Sequence, residues 1–244
     1  TKTEAQLVPH FFSAGEGGVD WDKEGFIYFA GHRDKRGIPG ARQHIYKIRP
    51  DGTGLTQLTA SSRIMGGAVD VGLSADGTKL SYVRLSVNES IGQNVPLYQL
   101  WMMETNGQNN RMLLDPGRNP TIVRNRETGA KEVVGAHDPT ISPDGRYVVF
   151  SRPNPKFTNF PGIPGLNTAH DLYIMGVDGT GLRRLTPEGP ISIIPDWQGD
   201  RIVYTEISER DNYNGISVIN SDGSGKKRLG SGSMPKWIPS VSAK

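Results

Sequence analysis

The chain has 244 residues, 35% of them hydrophobic, with a formal net charge of +3, 31 glycines and 17 prolines. That share of turn formers is too high for a helix bundle and the apolar fraction too large for a disordered chain, so a turn-rich all-β fold is expected. The absence of cysteine excludes disulfides, thiolate metal sites and cysteine nucleophiles, and the 28 basic and 25 acidic residues are too evenly interspersed to form the stripe that nucleic acid requires. The longest clear apolar run, Tyr147-Val148-Val149-Phe150, is strand-sized and far short of the roughly 18 residues of a membrane-crossing helix. The sequence opens at Thr1 rather than Met, which reads as a processed chain or a segment of a longer one.

The first candidate element is a lone outer strand, Ala5-Gln6-Leu7-Val8. Four copies of a two-part phrase follow. Each begins with an aromatic or aliphatic residue and a tight glycine turn, then a β-rich run. The copies are Trp21 to Gly25 before Phe26-Ile27-Tyr28-Phe29, and Leu73 to Gly77 before Leu80-Ser81-Tyr82-Val83. The third runs from Ile141 to Gly145 before Tyr147 to Phe150, and a shortened fourth places Trp197-Gln198-Gly199-Asp200 before Ile202-Val203-Tyr204. The second part is a strand, an Asp-Gly or Asn-Gly turn and a basic run ending in leucine. It appears as Ile45 to Ile48 with Asp51-Gly52 and Leu58, Leu100 to Met103 with Asn106-Gly107 and Leu113, Leu172 to Met175 with Asp178-Gly179 and Leu185, and Ile216 to Ile219 with Asp222-Gly223 and Leu229. Such dipeptides between β-rich runs signal hairpins, with primed turns expected. Each unit is therefore two hairpins, or four strands, and a lone inner strand at Met234-Pro235-Lys236-Trp237 begins a fifth. Four-stranded units in series bury both faces by radial closure, which makes a β-propeller.

The stretches Asp138-Pro139-Thr140-Ile141-Ser142-Pro143-Asp144-Gly145-Arg146-Tyr147-Val148-Val149-Phe150-Ser151 and Asp171 to Thr186 resemble the repeat of TolB-type β-propellers. The resemblance is looser in the first unit, where Asp22-Lys23-Glu24-Gly25 replaces the usual Ser-Pro-Asp-Gly turn, and in the shortened fourth. It implies an all-β propeller over 1–244, with four complete antiparallel blades and partial terminal strands that belong to a five- or six-bladed ring. An inner and an outer strand cannot pair without the two between them, so a missing segment or another subunit is expected to complete the ring. Members of that family are mostly periplasmic or secreted bacterial interaction platforms, with some enzymes among them.

Strand reversal puts the b–c and d–a connections, which are long, on one face, and the tight glycine turns on the other. Binding is expected on the loop-rich face. All five histidines, His10, His32, His44, His137 and His170, fall on or beside it, and Asp70, His137 and Asp138 line its axial funnel. Imidazole and carboxylate together suit a metal. Without a metal-ligand spacing such as His-Glu-x-x-His, the preferred reading is that Asp70 and Asp138 accept backbone hydrogen bonds, and neither a metal nor a cofactor is expected. The proline-rich loop Pro153 to Gly165 presents Phe157, Phe160 and Ile163 as apolar anchors for a protein partner. No catalytic residue is assigned. The function expected is a non-catalytic, periplasmic or extracellular interaction scaffold and complex subunit. The alternative is a metal-dependent, lyase-like propeller or the gating propeller of a prolyl-oligopeptidase-type hydrolase.

Overall fold

The computed structural model describes residues 18–32, 43–60, 67–87, 95–118, 120–124, 131–156 and 169–237. Ala5 to Val8, His10, Phe157, Phe160 and Ile163 lie outside them. Four antiparallel four-stranded sheets follow one another as blades, each a meander in strand order. The first blade holds β1 (Val19–Trp21), β2 (Ile27–Gly31), β3 (His44–Ile48) and β4 (Thr56–Gln57); the second holds β5 (Ala68–Leu73), β6 (Lys79–Val87), β7 (Pro96–Glu104) and β8 (Arg111–Leu114). A separate hairpin, β9 (Ile122–Arg124) with β10 (Lys131–Val133), precedes the third blade of β11 (His137–Ile141), β12 (Tyr147–Pro153), β13 (His170–Gly176) and β14 (Arg183–Arg184). The fourth blade is β15 (Ile191–Gln198), β16 (Arg201–Ser208), β17 (Tyr213–Asn220) and β18 (Lys227–Ser231).

The apolar run in each second strand follows from burial on both faces. Side chains alternate along a strand, so a continuous run serves two interfaces. In β12, Val148 and Phe150 pack with Leu100 of the second blade, while Val149 packs with Trp197, Ile202 and Tyr204 of the fourth. Between the first two blades, Tyr28, Ala30 and Ile45 meet Val71, Leu73, Leu80 and Tyr82.

Three details differ from the sequence expectation. In the Asp-Gly and Asn-Gly turns only the glycine takes positive φ, as at Gly52 (85°) and Gly179 (87°), so these are not primed turns. Asp51 and Asp178 instead accept backbone N–H bonds from Thr53 and Thr180 at 2.9 and 3.0 Å, which stabilises an ordinary turn closed by a left-handed glycine. The fourth b–c connection is short, because β16 and β17 extend to Ser208 and Tyr213 and leave a turn at 209–212. Met234–Trp237 forms no ladder among the described residues, although its backbone is hydrogen-bonded to the fourth blade.

The inner strands crowd the axis. A Cβ on Gly72 of β5 would lie 2.1 Å from the Pro139 carbonyl oxygen of β11. Gly72→Ala is expected to destabilise the protein by about 1–3 kcal/mol, the cost typical of overpacking a fixed backbone, measured by chemical denaturation; an unchanged midpoint would show that the blades separate more easily than this packing implies.

Candidate functional site: the loop-rich face

Asp70 and Asp138 occupy the same place in successive inner strands, at a bulge where the register shifts between Val69 and Gly72 and between His137 and Thr140. Both take positive φ, 53° and 49°. The bulge frees a backbone N–H from the ladder, and a buried donor needs an acceptor. The Asp138 N–H donates to Asp70 Oδ2 at 3.4 Å, and the Asp138 carboxylate accepts the Ser151 hydroxyl at 3.0 Å and the Ile194 N–H of the fourth blade. Burial pushes the Asp138 carboxyl up, with the charge of His137 pulling the other way. The structure thus brings Asp70 and Asp138 together through the backbone they stabilise.

His137 contacts two rings: Tyr98 of the second blade at 4.4 Å and His170 at 5.4 Å, edge-on. His44 lies in the first blade against Tyr46, with Nδ1 3.4 Å from Thr59 Oγ1, and burial lowers its basicity. His32 ends the described part of the first b–c connection. Among the described residues no group of three His, Asp or Glu side chains converges as a metal site. We expect no tightly held transition metal in the purified protein; elemental analysis returning one per chain, removed by His137→Ala, would overturn this.

Sequence reading missed the base of the proline-rich loop. Asp171, wholly buried at the start of β13, accepts Asn154 Nδ2 at 2.7 Å, while the Asn154 N–H donates to Ala169 at 2.7 Å and its Oδ1 accepts the Lys156 N–H at 3.0 Å. These bonds close the two ends of the connection over 157–168 onto each other. Glu188 adds ion pairs to Lys156 at 3.0 Å and to Arg184. The spacing between Asn154 and Asp171 carries no signal, since only strand pairing of Pro153 with His170 makes them neighbours. A polar cleft of about 360 Å³ was also missed; it lies on the opposite, tight-turn face between the first two blades and is lined by Asp22, Glu24, Asp76, Lys79, Glu104 and Thr105.

Burial pushes the Asp171 carboxyl up to about 6, against the opposing Asn154 hydrogen bond and Arg184 charge. The folded state therefore holds this proton more tightly than the unfolded chain. Its contribution to stability is complete below the ordinary aspartate value of about 4 and is lost as pH rises through about 6. Asp171→Asn is expected to remove that decline from a plot of unfolding free energy against pH. An identical slope in the variant would show that Asp171 is not its source.

No family model and no curated protein matches the sequence. Solved structures do. A chain of the nidogen/laminin complex aligns over 89% of this chain and 65% of its own, with a TM-score of 0.56 at 12% identity. Oligogalacturonate lyase from Vibrio parahaemolyticus aligns over 93% and 56%, with a TM-score of 0.54 at 12% identity. TolB from Acinetobacter baumannii aligns over 93% and 57% at 15% identity, but its TM-score of 0.39 does not single out that type. The chain spans less than two thirds of each of these three chains. Likeness at these identities is one of fold, and together with the four serial meanders it makes this chain a β-propeller, with four complete blades among the described residues.

Proposed function

We propose that the chain is a non-catalytic, TolB-like interaction module, exported to a bacterial periplasm or cell exterior, that docks a protein partner through its loop-rich face as a subunit of a larger complex. The observation that carries this reading is the pinned base of the connection between Asn154 and Ala169. A loop whose ends are fixed on a rigid sheet loses less entropy on binding than a free one. Phe157, Phe160 and Ile163 supply apolar side chains within that connection, and aromatic anchors dominate the energetics of protein interfaces. Its electrostatic surroundings, Lys156, Arg184 and Glu188, form a polar rim.

A second reading, a metal-dependent lyase-like propeller, draws on the His137–His170 contact and on the fold shared with oligogalacturonate lyase. It calls for a third ligand beside the imidazoles. Calorimetric titration with manganese or zinc discriminates the two readings, because a protein-docking face has no reason to bind either ion.

The main test changes Phe157, Phe160 and Ile163 together to serine and leaves Pro153 to Lys156 intact, since removing Asn154 would unpair Asp171. Proteins captured by the parent chain and identified by quantitative mass spectrometry are expected to be lost from the variant, with the melting temperature within a few degrees of the parent. Capture that survives the change removes the loop as the docking element. A collapse in melting temperature makes it a structural cover instead.

A further inference from the structure

Two buried polar atoms at the loop-rich end of the third blade have no hydrogen-bond partner: Arg152 Nε in β12 and Asp171 Oδ1 in β13. The two residues are direct partners across the ladder. Opposed residues put their side chains on the same face of a sheet with Cβ atoms about 4.5–5.5 Å apart, a gap that an arginine stem crosses. A buried donor and a buried acceptor of opposite charge therefore stand within reach of each other. Each is turned to something else. Asp171 Oδ2 accepts the Asn154 amide at 2.7 Å, while Arg152 Nη2 donates to the Val134 carbonyl at 3.5 Å and its guanidinium lies 5.5 Å from the Tyr173 ring.

Neither charge is well served by that arrangement. A charge taken out of water is stable when it is paired and hydrogen-bonded, and here each has one bond to a neutral group. Two other cations lie near Asp171, but Arg184, 3.8 Å away, and Lys156 are both ion-paired with Glu188. Either would have to give up a carboxylate to take another. Arg152 would give up only a long bond to a carbonyl. The fourth blade shows the satisfied version of this position: Glu206, which occupies in β16 the place of Arg152 in β12, is wholly buried and held by Arg228 at 2.9 Å. What Arg152 holds at present matters too. Val134 follows β10, and its N–H donates to the Thr121 carbonyl at 2.9 Å, which closes the stem of the β9–β10 hairpin. The same guanidinium thus lies between the stem of one connection and the base of the next.

We propose that Arg152 is the moving part of a two-position switch that couples these two connections of the loop-rich face. In the first position, which the structure shows, the guanidinium holds Val134 and the Asp171 carboxyl relies on Asn154. In the second it turns across the ladder to Asp171 Oδ1 and releases the Val134 carbonyl. The balance is set by contacts that differ between the two positions. Weakening the Asn154 bond favours the second, and a firmer hold on Val134 favours the first. Contact at one connection is then felt at the other, and equally in both directions. The sheet between them does not have to move. The switch operates whatever the face docks, and it uses neither Phe157, Phe160 nor Ile163.

The test uses the full chain, labelled for NMR, at a pH well above the value of about 6 to which burial pushes the Asp171 carboxyl, so that it is charged. Asn154→Ala removes the amide that Asp171 relies on. Two signals are followed: the Arg152 Nε–H, assigned by its loss in Arg152→Gln, and the Gly135 amide, whose nitrogen is bonded to the Val134 carbonyl carbon. In the variant the Arg152 Nε–H is expected to move downfield and to exchange with water about tenfold more slowly, as the donor of a charge-assisted hydrogen bond does. The Gly135 amide is expected to shift with it. Adding Asp171→Asn should return both signals to their parent positions. A folded Asn154→Ala chain in which both signals stay where they were overturns the proposal. So does a downfield move of the Arg184 Nε–H in place of Arg152, which makes Arg184 the countercharge, and so does a Gly135 shift that survives Asp171→Asn. Asn154→Ser carries the same readouts where the alanine variant does not fold. In unfolding equilibria, Asn154→Ala with Arg152→Gln should cost about tenfold more than the two single changes combined, because the second position offsets loss of the first; strict additivity counts against the switch.

Discussion

Crowding at the axis is the constraint on which the rest of the molecule depends. The inner strands of successive blades approach until Gly72 has no room for a Cβ against the Pro139 carbonyl. There the inner strands bulge, and as the first strands of their sheets they turn backbone N–H groups without a ladder partner toward the neighbouring blade. Leaving such a donor unpaired costs about 1–3 kcal/mol, so acceptors must come from the neighbouring blade. Carboxylates fill that role: Asp20 for Leu73, Asp70 for Asp138, Asp138 for Ile194 and Asp196 for Trp237. A side chain of one blade fixes the main chain of the next. The blades are thereby held in register by directional bonds, to which the non-directional apolar packing between them adds energy without setting geometry.

Outward from the axis the same repeat builds aromatic pairs. Phe29 stacks on Tyr46 at 5.7 Å, Tyr82 on Trp101 at 6.4 Å and Phe150 on Tyr173 at 6.4 Å, each pair directly opposite across the second and third strands. Arg84 and Arg152 then cover Trp101 and Tyr173 at 5.1 and 5.5 Å. Offset stacking and cation–π contact add about 0.5–1.5 kcal/mol per pair beyond area burial. In the fourth blade the equivalent pair is Tyr204 with Ser217, and the stack is absent. That blade relies instead on ion pairs. The result is a set of stiff sheets from which the long connections rise on one side only.

The four described blades and their strand order were legible in the sequence because they rest on local signals. Glycine turns such as Gly25 and Gly145 take positive φ, as the turn phrases require, and the strand-sized apolar runs beside them carry no sustained helical period. The hairpin β9–β10 escaped notice because its strands are only three residues each, too short for alternation to register. The roles of Asp70 and Asp138 as backbone acceptors follow from sequence only as one reading among two, since a funnel carboxylate and a latching carboxylate look alike before the bulge is seen. The Asn154–Asp171 bond is invisible for a plainer reason: its partners meet across strands, and nothing local to either residue requires the other.

Two fully buried carboxylates on this face show how direct partners decide the outcome that burial alone would set. Glu206 in β16 faces desolvation that raises its pKa, yet the net shift is downward, because Lys226 and Arg228 each reach it at 2.9 Å. Asp171 meets the same desolvation with one amide hydrogen bond and an Arg184 guanidinium 3.8 Å away, beyond hydrogen-bond reach, and its shift is upward. Charge-assisted hydrogen bonds are roughly twice as strong as neutral ones, and two of them outweigh the burial penalty where one neutral bond does not. Arg228 also ties Asp211 in the turn at 209–212, so the fourth blade's connection is clamped by charge across the ordinary pH range. The base of the third blade's connection includes a carboxylate, Asp171, that burial pushes up to about 6. The loop-rich face therefore has one wall locked by ion pairs, and beside it a loop base whose hydrogen bonding changes with a single proton.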